Sequence, residues 1–255
     1  MPPDAGALPD TLTPPPPPVA DRTSLFLDLD GVLAPIAPVP DAVGPDPART
    51  RLLRRLVGAL DGRVAVLSGR SIAEVDRICE AAVTAVAGVH GLERRRRDGA
   101  VIRGPLHPGL AAADDALEAF AAAHAGVRLE RKRGALALHY RQAPQVETAA
   151  GDLARAQAER HGLGLQPGKM VFELKSPGAD KGVALSQFQA EAPFAGRAPI
   201  AVGDDLTDEH AFAAANRCGG YGVLVGPRRT TAARYRLDDV EAVFAWLDQL
   251  AGDAA

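Results

Sequence analysis

The stretch SLFLDLDGVLAPIAP, which begins at Ser24, constrains the fold more than any other part of the sequence. An apolar run leads directly into two aspartates, Asp28 and Asp30, and the chain then continues through a glycine and several prolines. Carboxylates are poor strand formers and are rarely buried without a partner, and the prolines exclude an immediate regular helix. The stretch therefore predicts a buried strand over residues 25–29 that presents two carboxylates at its end.

The pattern on both sides of a central segment predicts an α/β fold. Short apolar strands alternate with amphipathic helices, which is the signature of βαβ units and a parallel sheet. Asp46 and Pro47 predict the start of one helix, and the pair Ser71 and Glu74 predicts a capping box at the start of another. We therefore expect a doubly wound, mainly parallel, Rossmann-like core.

The central segment follows a different pattern and divides the core into two parts. Its helices and alternating strands predict an α+β insert of the order αββαββ. The predicted domains are a proline-rich disordered tail, a first core part, the insert and a second core part, over residues 1–22, 23–104, 105–177 and 178–255. Alternation along the insert's strands places apolar residues on one face of its sheet and polar residues on the other.

Composition excludes several classes of partner. The formal net charge of −3 argues against a nucleic-acid partner, and no apolar run approaches the roughly 20 residues that span a bilayer. The two cysteines, Cys79 and Cys218, have no metal-ligand spacing and fit a reducing compartment. Since the first residues also lack the pattern of a secretory signal, we expect a cytoplasmic protein without a membrane or nucleic-acid partner.

Polar residues follow the predicted core strands at their carboxyl ends, where open α/β sheets bind ligands. In strand order these are Asp28 and Asp30, then Ser68 and Arg70, then His90, then Asp204 and Asp205. Four acids around one crevice would repel one another unless a cation joined them. Oxygen ligands without His or Cys suit Mg²⁺, which shares its coordination between carboxylates, water and phosphate.

Lys181 adds a positive charge to the same crevice. The segment GADKGVALSQF predicts a helix capped by Asp180, so Lys181 lies in the first turn, where the helix dipole disfavours a cation. A lysine that neutralises carboxylate and phosphate charge accounts for this position, although a tolerated surface lysine would also fit. Together these groups favour phosphoryl transfer through an aspartyl-phosphate.

The segments DLDGVL, LSGR, DKG and GDDLTDE resemble, in this order and spacing, the four motifs of the haloacid dehalogenase (HAD) superfamily of phosphatases. The segments AGVHGLE, LERKRGALALHYR and GKMVFELKSPGADKG extend the resemblance to its trehalose-6-phosphate phosphatase family. The resemblance covers nearly all of the chain after residue 23. It implies an Mg²⁺-dependent phosphatase that hydrolyses trehalose 6-phosphate.

The resemblance also implies roles for the residues at the strand ends. Asp28 would be the nucleophile, and Asp30 would protonate the leaving oxygen and later activate water. Mg²⁺ would be held by Asp28, the backbone carbonyl of Asp30 and Asp204, with Asp205 close by. Two further groups would act on the phosphoryl group, namely Ser68 by hydrogen bonding and Lys181 by charge stabilisation.

By the same resemblance, the insert would be a C2-type cap whose polar sheet face binds the sugar. Glu130, Lys132 and Glu173 resemble the acid-base-acid set that grips the glucose hydroxyls. Further candidates for contact with the substrate are His139, Arg141 and Lys169 on the insert and Arg70, His90 and Glu93 on the core. For each of these six residues, a structural salt bridge is the alternative role. A solvated outer face is the alternative for the insert's sheet, and residues 94–97 are predicted to form a solvated turn.

Two other functions fit the same motifs. A HAD phosphatase for sucrose phosphate or mannosyl-phosphoglycerate would share the chemistry and differ in the cap. A non-catalytic sugar-phosphate-binding domain would be expected to lose an aspartate or the lysine, and all of them are present. The resemblance implies trehalose 6-phosphate as the small-molecule partner and functional pairing with a trehalose-6-phosphate synthase, and we expect a monomer.

Overall fold

The computed structural model describes residues 12–37, 40–168 and 170–252. The chain divides into two units. The core unit contains the described residues up to Ile102 and those from Asp180 onward, and the insert unit spans Arg103–Ala179. The predicted insert, residues 105–177, lies within the second unit.

The described residues contain twelve β-strands and seven α-helices. The strands are β1 (Thr23–Leu27), β2 (Val64–Leu67), β3 (Ala85–Gly88), β4 (Glu93–Arg95), β5 (Val101–Arg103), β6 (Arg128–Lys132), β7 (Ala135–His139), β8 (Gly164–Gly168), β9 (Val171–Lys175), β10 (Ala198–Gly203), β11 (Tyr221–Val225) and β12 (Tyr235–Leu237). The helices are α1 (Pro47–Ala59), α2 (Ile72–Cys79), α3 (Gly109–Ala123), α4 (Glu147–His161), α5 (Lys181–Gln189), α6 (Glu209–Arg217) and α7 (Val240–Gly252).

The core unit is built on a sheet of eight strands within the described residues, in the order β12-β11-β10-β1-β2-β3-β4-β5. The strands from β12 to β3 run parallel, and β4 is antiparallel to β3. Strand β1 lies in the middle and is buried along its whole length, as expected for a parallel sheet covered on both faces. The predicted doubly wound α/β core is confirmed.

Helices cover both faces of this sheet because side chains alternate along each strand. Leu25 and Leu27 belong to the cluster formed with α1, α2 and α7, whereas Phe26 belongs to the cluster formed with α5 and α6. The Phe26 ring lies 6.2 Å from that of Phe188 and 5.4 Å from that of Phe194. Burial of such a side chain contributes roughly 2 kcal/mol, so β1 is held firmly and its carboxyl end is fixed in place.

The capping signals in the sequence act as predicted. The Asp46 carboxylate accepts hydrogen bonds from the backbone N–H groups of Ala48 and Arg49, at 2.6 and 3.2 Å. Ser71 and Glu74 form the predicted capping box at the start of α2. Both caps satisfy N–H groups that have no partner within the helix.

Part of the predicted tail contacts the core unit. Leu12 packs against the cluster around Phe26, and the carbonyl of Pro16 accepts a hydrogen bond of 3.0 Å from the indole of Trp246. A 3₁₀ turn over Ala20–Arg22 leads into β1. The prediction of a disordered tail is therefore wrong for residues 12–22, and residues 1–11 lie outside the described part of the chain.

The insert unit has the predicted order αββαββ, with its four described strands in the order β6-β7-β9-β8. All three strand pairs are antiparallel. Leu136, Leu138 and Leu174 face α3 and α4 in one buried cluster. The sheet thus has one face covered by helices, and the polar residues lie on the other.

The prediction of a solvated turn over residues 94–97 is wrong for Arg94 and Arg95, whereas Arg97 is exposed in a turn. Arg94 and Arg95 belong to strand β4, and Arg94 is buried. Its guanidinium donates two hydrogen bonds to Glu191, at 3.0 and 2.9 Å, and lies over the ring of Phe188. A run of arginines can form a strand when carboxylates of other elements pair with it.

None of the helices in the described residues combines the length and the apolar character needed to cross a membrane.

We expect Asp46→Ala to lower the free energy of unfolding by about 1 kcal/mol, because it leaves the first N–H groups of α1 without an acceptor. Asp46→Asn keeps the acceptor and is the control, which we expect to lose much less. Urea unfolding followed by circular dichroism measures both. Equal losses in the two variants would contradict a capping role.

Candidate active site

Asp28 lies directly after β1 and contacts a buried lysine. Its Oδ2 atom is 2.9 Å from the Nζ atom of Lys181, and its Oδ1 atom accepts a hydrogen bond of 2.7 Å from the N–H of Leu29. Both side chains are almost fully buried, with 8% of Asp28 and 3% of Lys181 exposed. Lys181 opens α5, where Asp180 caps the helix as predicted.

Asp208 holds the other side of this lysine. Its Oδ1 atom accepts a hydrogen bond of 2.7 Å from Lys181, and its Oδ2 atom accepts from the N–H groups of Asp204 and Asp205, at 3.1 and 3.0 Å. The side chain lies so close to Gly203 that a Cβ atom there would approach the Asp208 Cγ atom to 2.1 Å. Asp208 therefore ties the loop after β10 to the lysine.

Asp204 completes a group of three carboxylates. Asp28, Asp204 and Asp208 each offer an oxygen, and these oxygens lie within 4.8 Å of one another. Gly31, with a φ of 78°, makes room for this approach, because a Cβ atom there would lie 2.2 Å from the Asp204 Oδ2 atom. Together with Lys181 at the start of α5, residues of three separate segments thus converge at the carboxyl edge of the sheet.

The charges of this group are not balanced by the lysine alone. Burial raises the pKa of Asp28 well above its usual range, as do Asp208 and Asp204, and Lys181 only partly opposes them. Burial and the Asp208 charge also raise the pKa of Asp204, to about 7. Burial lowers the pKa of Lys181, but the charges of Asp208 and Asp28 raise it by more than burial lowers it. The lysine therefore stays charged. One positive charge faces three carboxylates, and an added cation would stabilise their ionised forms.

Asp30 points to a different partner. Its two carboxylate oxygens accept hydrogen bonds from the Nε and Nη2 atoms of Arg70, at 2.7 and 2.8 Å. This hydrogen bonding raises the pKa of Arg70. The Arg70 side chain is 9% exposed and that of Asp30 is 36% exposed. The bidentate pair fixes the orientation of Asp30 beside Asp28.

The loop after β2 lies next to this pair. Ser68 is buried, and its hydroxyl accepts a hydrogen bond of 3.1 Å from the N–H of Arg70. The N–H of His90 donates to the carbonyl of Ser68 at 2.9 Å. The His90 ring covers Gly69 so closely that a Cβ atom there would lie 2.7 Å from it. His90 therefore contacts the loop that contains Ser68.

Asp205 lies outside the group of three carboxylates formed by the described residues. Its side chain caps the short 3₁₀ helix Leu206–Asp208 and accepts a hydrogen bond of 2.6 Å from the N–H of Leu206. Asp208 is the third carboxylate of the group, whereas the resemblance implied only that Asp205 lies close to the ion. No periodicity in the sequence distinguishes the two, because the segment from Asp204 to Asp208 is a loop and a short 3₁₀ helix.

The polar face of the insert sheet carries the remaining predicted residues. Lys132 lies 3.2 Å from Glu173, and the His139 Nε2 atom lies 2.8 Å from Glu130. The hydrogen bond with His139 lowers the pKa of Glu130. The strand register places Glu130 and Glu173 on either side of Ala137, whose small side chain leaves space between them.

Two residues of this face were not predicted. Lys175 donates a hydrogen bond of 2.8 Å to the Gln166 side chain, and both follow the same alternation that identified Glu173.

The two other predicted residues of the insert are Arg141 and Lys169. Arg141 is exposed beyond the end of β7, and Lys169 lies outside the described residues.

Comparisons with known proteins indicate the family of this chain. The family model described as trehalose-phosphatase matches residues 26–241. The chain is 42% identical over 241 residues to the trehalose-6-phosphate phosphatase of Escherichia coli (strain K12). The alignment covers 92% of this chain and 88% of that protein.

Solved structures show the same fold. The C-terminal domain of the C. albicans trehalose-6-phosphate phosphatase has a TM-score of 0.79 at 23% identity, with 92% of this chain and 94% of that chain covered. A HAD-superfamily phosphatase from Bacteroides thetaiotaomicron has a TM-score of 0.60 at 17% identity, with 97% and 99% covered. The fold is thus that of the HAD-superfamily structure. Since the family model spans well over half of the sequence, this chain belongs to the trehalose-phosphatase family.

Proposed function

We propose that this chain is a phosphatase that hydrolyses trehalose 6-phosphate to trehalose and phosphate. The observation that carries the proposal is the buried contact between Asp28, Lys181 and Asp208 at the end of β1, in a chain of the trehalose-phosphatase family. A carboxylate nucleophile next to a buried cation suits attack on a phosphate ester. Membership of the family supports the sugar phosphate as substrate.

The three grouped carboxylates fit Mg²⁺. They are oxygen donors, their oxygens lie within 4.8 Å of one another, and burial and mutual repulsion raise the pKa of Asp204 to about 7. We propose that Asp28 and Asp204 would hold the ion together with the backbone carbonyl of Asp30. Asp205 lies outside the group, and both oxygens of Asp208 already accept hydrogen bonds from Lys181 and the N–H groups after β10. Bound Mg²⁺ would neutralise phosphate charge and orient the phosphoryl group.

In the first step, we propose that Oδ2 or Oδ1 of Asp28 attacks phosphorus and forms an aspartyl-phosphate as the bond from phosphorus to the sugar oxygen breaks. Asp30 in its protonated form gives a proton to the leaving oxygen of trehalose. Lys181 stabilises the negative charge on the transferring group, and the Ser68 hydroxyl donates a hydrogen bond to it. Asp208 keeps Lys181 in place by its hydrogen bond of 2.7 Å.

In the second step, Asp30 takes a proton from water, and the water oxygen attacks the phosphorus of the aspartyl-phosphate. The bond from phosphorus to the Asp28 oxygen breaks, so that phosphate leaves and both aspartates return to their starting states. Arg70 orients Asp30 for both steps through its two hydrogen bonds. This contact favours a positioning role for Arg70 over the substrate contact that the sequence suggested.

The polar face of the insert unit is proposed to act as the sugar-binding face of a C2-type cap. Glu130 and Lys132 lie on β6 and Glu173 lies on β9, with β7 between the two strands. Lys132 lies 3.2 Å from Glu173, and Glu130 lies 2.8 Å from His139. Charged groups of this kind bind sugar hydroxyls through charge-assisted hydrogen bonds. A substrate without matching hydroxyls would leave them unpaired and would be rejected. His139 and Arg141 are proposed to contribute at the edge of the face.

The substrate must come from an enzyme that joins a glucosyl group to glucose 6-phosphate. We therefore propose functional pairing with a trehalose-6-phosphate synthase. We also propose that this chain acts as a monomer in the cytoplasm.

A panel of sugar phosphates tests the proposed substrate. We expect phosphate release from trehalose 6-phosphate with Mg²⁺ to exceed that from sucrose 6-phosphate, mannosyl-phosphoglycerate and glucose 6-phosphate by about 100-fold or more in kcat/KM, since the polar groups of the insert are proposed to pair with the hydroxyls of trehalose. EDTA should abolish the activity and added Mg²⁺ should restore it. A better substrate elsewhere in the panel would contradict the assignment.

Asp28→Asn tests the covalent mechanism. An amide is not a nucleophile toward phosphorus, so we expect kcat to fall by about 1,000-fold or more. Acid quenching during turnover of radiolabelled substrate should trap phosphate on the wild-type protein and none on the variant. Asp238→Asn, at an exposed ion pair with Arg236, is the control and should keep full activity. A rate for Asp28→Asn within tenfold of wild type would exclude the mechanism.

Glu130→Gln tests the sugar-binding face. We expect KM for trehalose 6-phosphate to rise by about tenfold or more, because a charge-assisted hydrogen bond to the sugar is weakened. Hydrolysis of p-nitrophenyl phosphate, which has no sugar, should stay within twofold.

Glu118→Gln is the matched control for that variant. Glu118 pairs with Arg131 on the helix-covered side of the same sheet. We expect Glu118→Gln to leave the hydrolysis of both substrates unchanged. Equal effects of the two variants on KM would show that the polar face does not select the sugar.

A further inference from the structure

Glu93 is a buried carboxylate next to the loop that contains Ser68 and Arg70. It is 6% exposed and is the first residue of β4, where it lies opposite Gly88, the last residue of β3. Its Oε1 atom accepts a hydrogen bond of 2.7 Å from the backbone N–H of Ile72. Ile72 is the first residue of α2, so Glu93 satisfies an N–H group that has no partner within that helix.

Two backbone hydrogen bonds attach the same loop to the segment between β3 and β4. The N–H of Val89 donates to the carbonyl of Arg70, and the N–H of His90 donates to the carbonyl of Ser68, each at 2.9 Å. Val89 and His90 have φ values of 48° and 54°. A positive φ is rare for a β-branched residue such as valine, and it persists only where the surroundings impose it.

The loop packs directly on the backbone of Gly88. A Cβ atom at this position would lie 2.8 Å from the N atom of Ile72 and 2.9 Å from the carbonyl oxygen of Arg70. With a glycine here, the loop approaches the strand closely enough for Glu93 to reach the start of α2. The charge of a carboxylate at a helix N-terminus adds to the strength of this hydrogen bond.

We propose that Glu93 is a positioning residue that holds the loop from Ser68 to Ile72 in its catalytic place. It acts through the N-terminus of α2, and so it orients the Ser68 hydroxyl toward the phosphoryl group and Arg70 toward Asp30. The bond to Ile72 assigns Glu93 this role instead of the substrate contact that the sequence suggested. The inference rests on the proposed phosphatase function.

Glu93→Ala and Glu93→Gln separate this role from simple destabilisation. In Glu93→Ala the loop loses its acceptor, and we expect kcat to fall by about 100-fold and the inhibition constant of inorganic phosphate to rise by about tenfold. The Mg²⁺ concentration for half-maximal activity should stay within about twofold, because the carboxylates of Asp28 and Asp204 do not depend on this loop. Glu93→Gln keeps a carbonyl oxygen within reach of Ile72 and should recover most of both losses.

The control for stability is Asp46→Ala, which removes an N-cap from α1 in the same unit. We expect it to lower the melting temperature without any change in phosphate inhibition. Changes in phosphate inhibition and kcat for Asp46→Ala that match those of Glu93→Ala would overturn the proposal. So would an unchanged phosphate constant in Glu93→Ala, an equal loss of Mg²⁺ affinity, or a Glu93→Gln variant as impaired as Glu93→Ala.

Two further measurements keep the outcome clear. If Glu93→Ala does not fold, Glu93→Asp replaces it. Its shorter side chain falls short of Ile72, so this variant should show the same losses in phosphate inhibition and kcat.

All variants are also assayed with p-nitrophenyl phosphate. A wild-type protein that hydrolyses this compound but not trehalose 6-phosphate would refute the proposed function, whereas the effect of Glu93 on phosphate inhibition would still be tested.

Discussion

The Nζ atom of Lys181 lies 2.9 Å from Asp28 and 2.7 Å from Asp208, and all three side chains are buried. Buried charges are costly unless they are paired and hydrogen-bonded, so the elements that carry these residues must stay in register. The pairing links the end of β1, the start of α5 and the loop after β10. The geometry of the candidate active site depends on this contact.

The parallel sheet makes the contact possible. Strands β1 and β10 are neighbours with a continuous register, and their carboxyl ends deliver Asp28 and Asp204 to the same edge. Glycines at positions 31 and 203 then allow carboxylates to approach the backbone where any side chain would collide. Apolar packing on both faces of the sheet therefore sets the positions of groups that, by themselves, repel one another.

The helix starts and the two faces of the insert sheet could be predicted because they depend on local sequence patterns. Helix caps such as Asp46 and the capping box at Ser71 require only residues within one turn. Alternation along β6, β7 and β9 separated the apolar and polar faces of the insert correctly, and it could also have identified Lys175. The buried state of Arg94 could not be predicted in this way, because Glu191, its partner, is distant in the chain.

By itself, the sequence determined the alternation of strands and helices, the position of the insert and the set of acids at the strand ends, since each follows from short-range periodicity and spacing. Only the tertiary structure decided which groups meet. It brought Asp208 rather than Asp205 to the other carboxylates, paired Arg70 with Asp30, and placed residues 12–22 against the core. The physical reason is that these contacts join separate segments, and long-range packing alone fixes their distances.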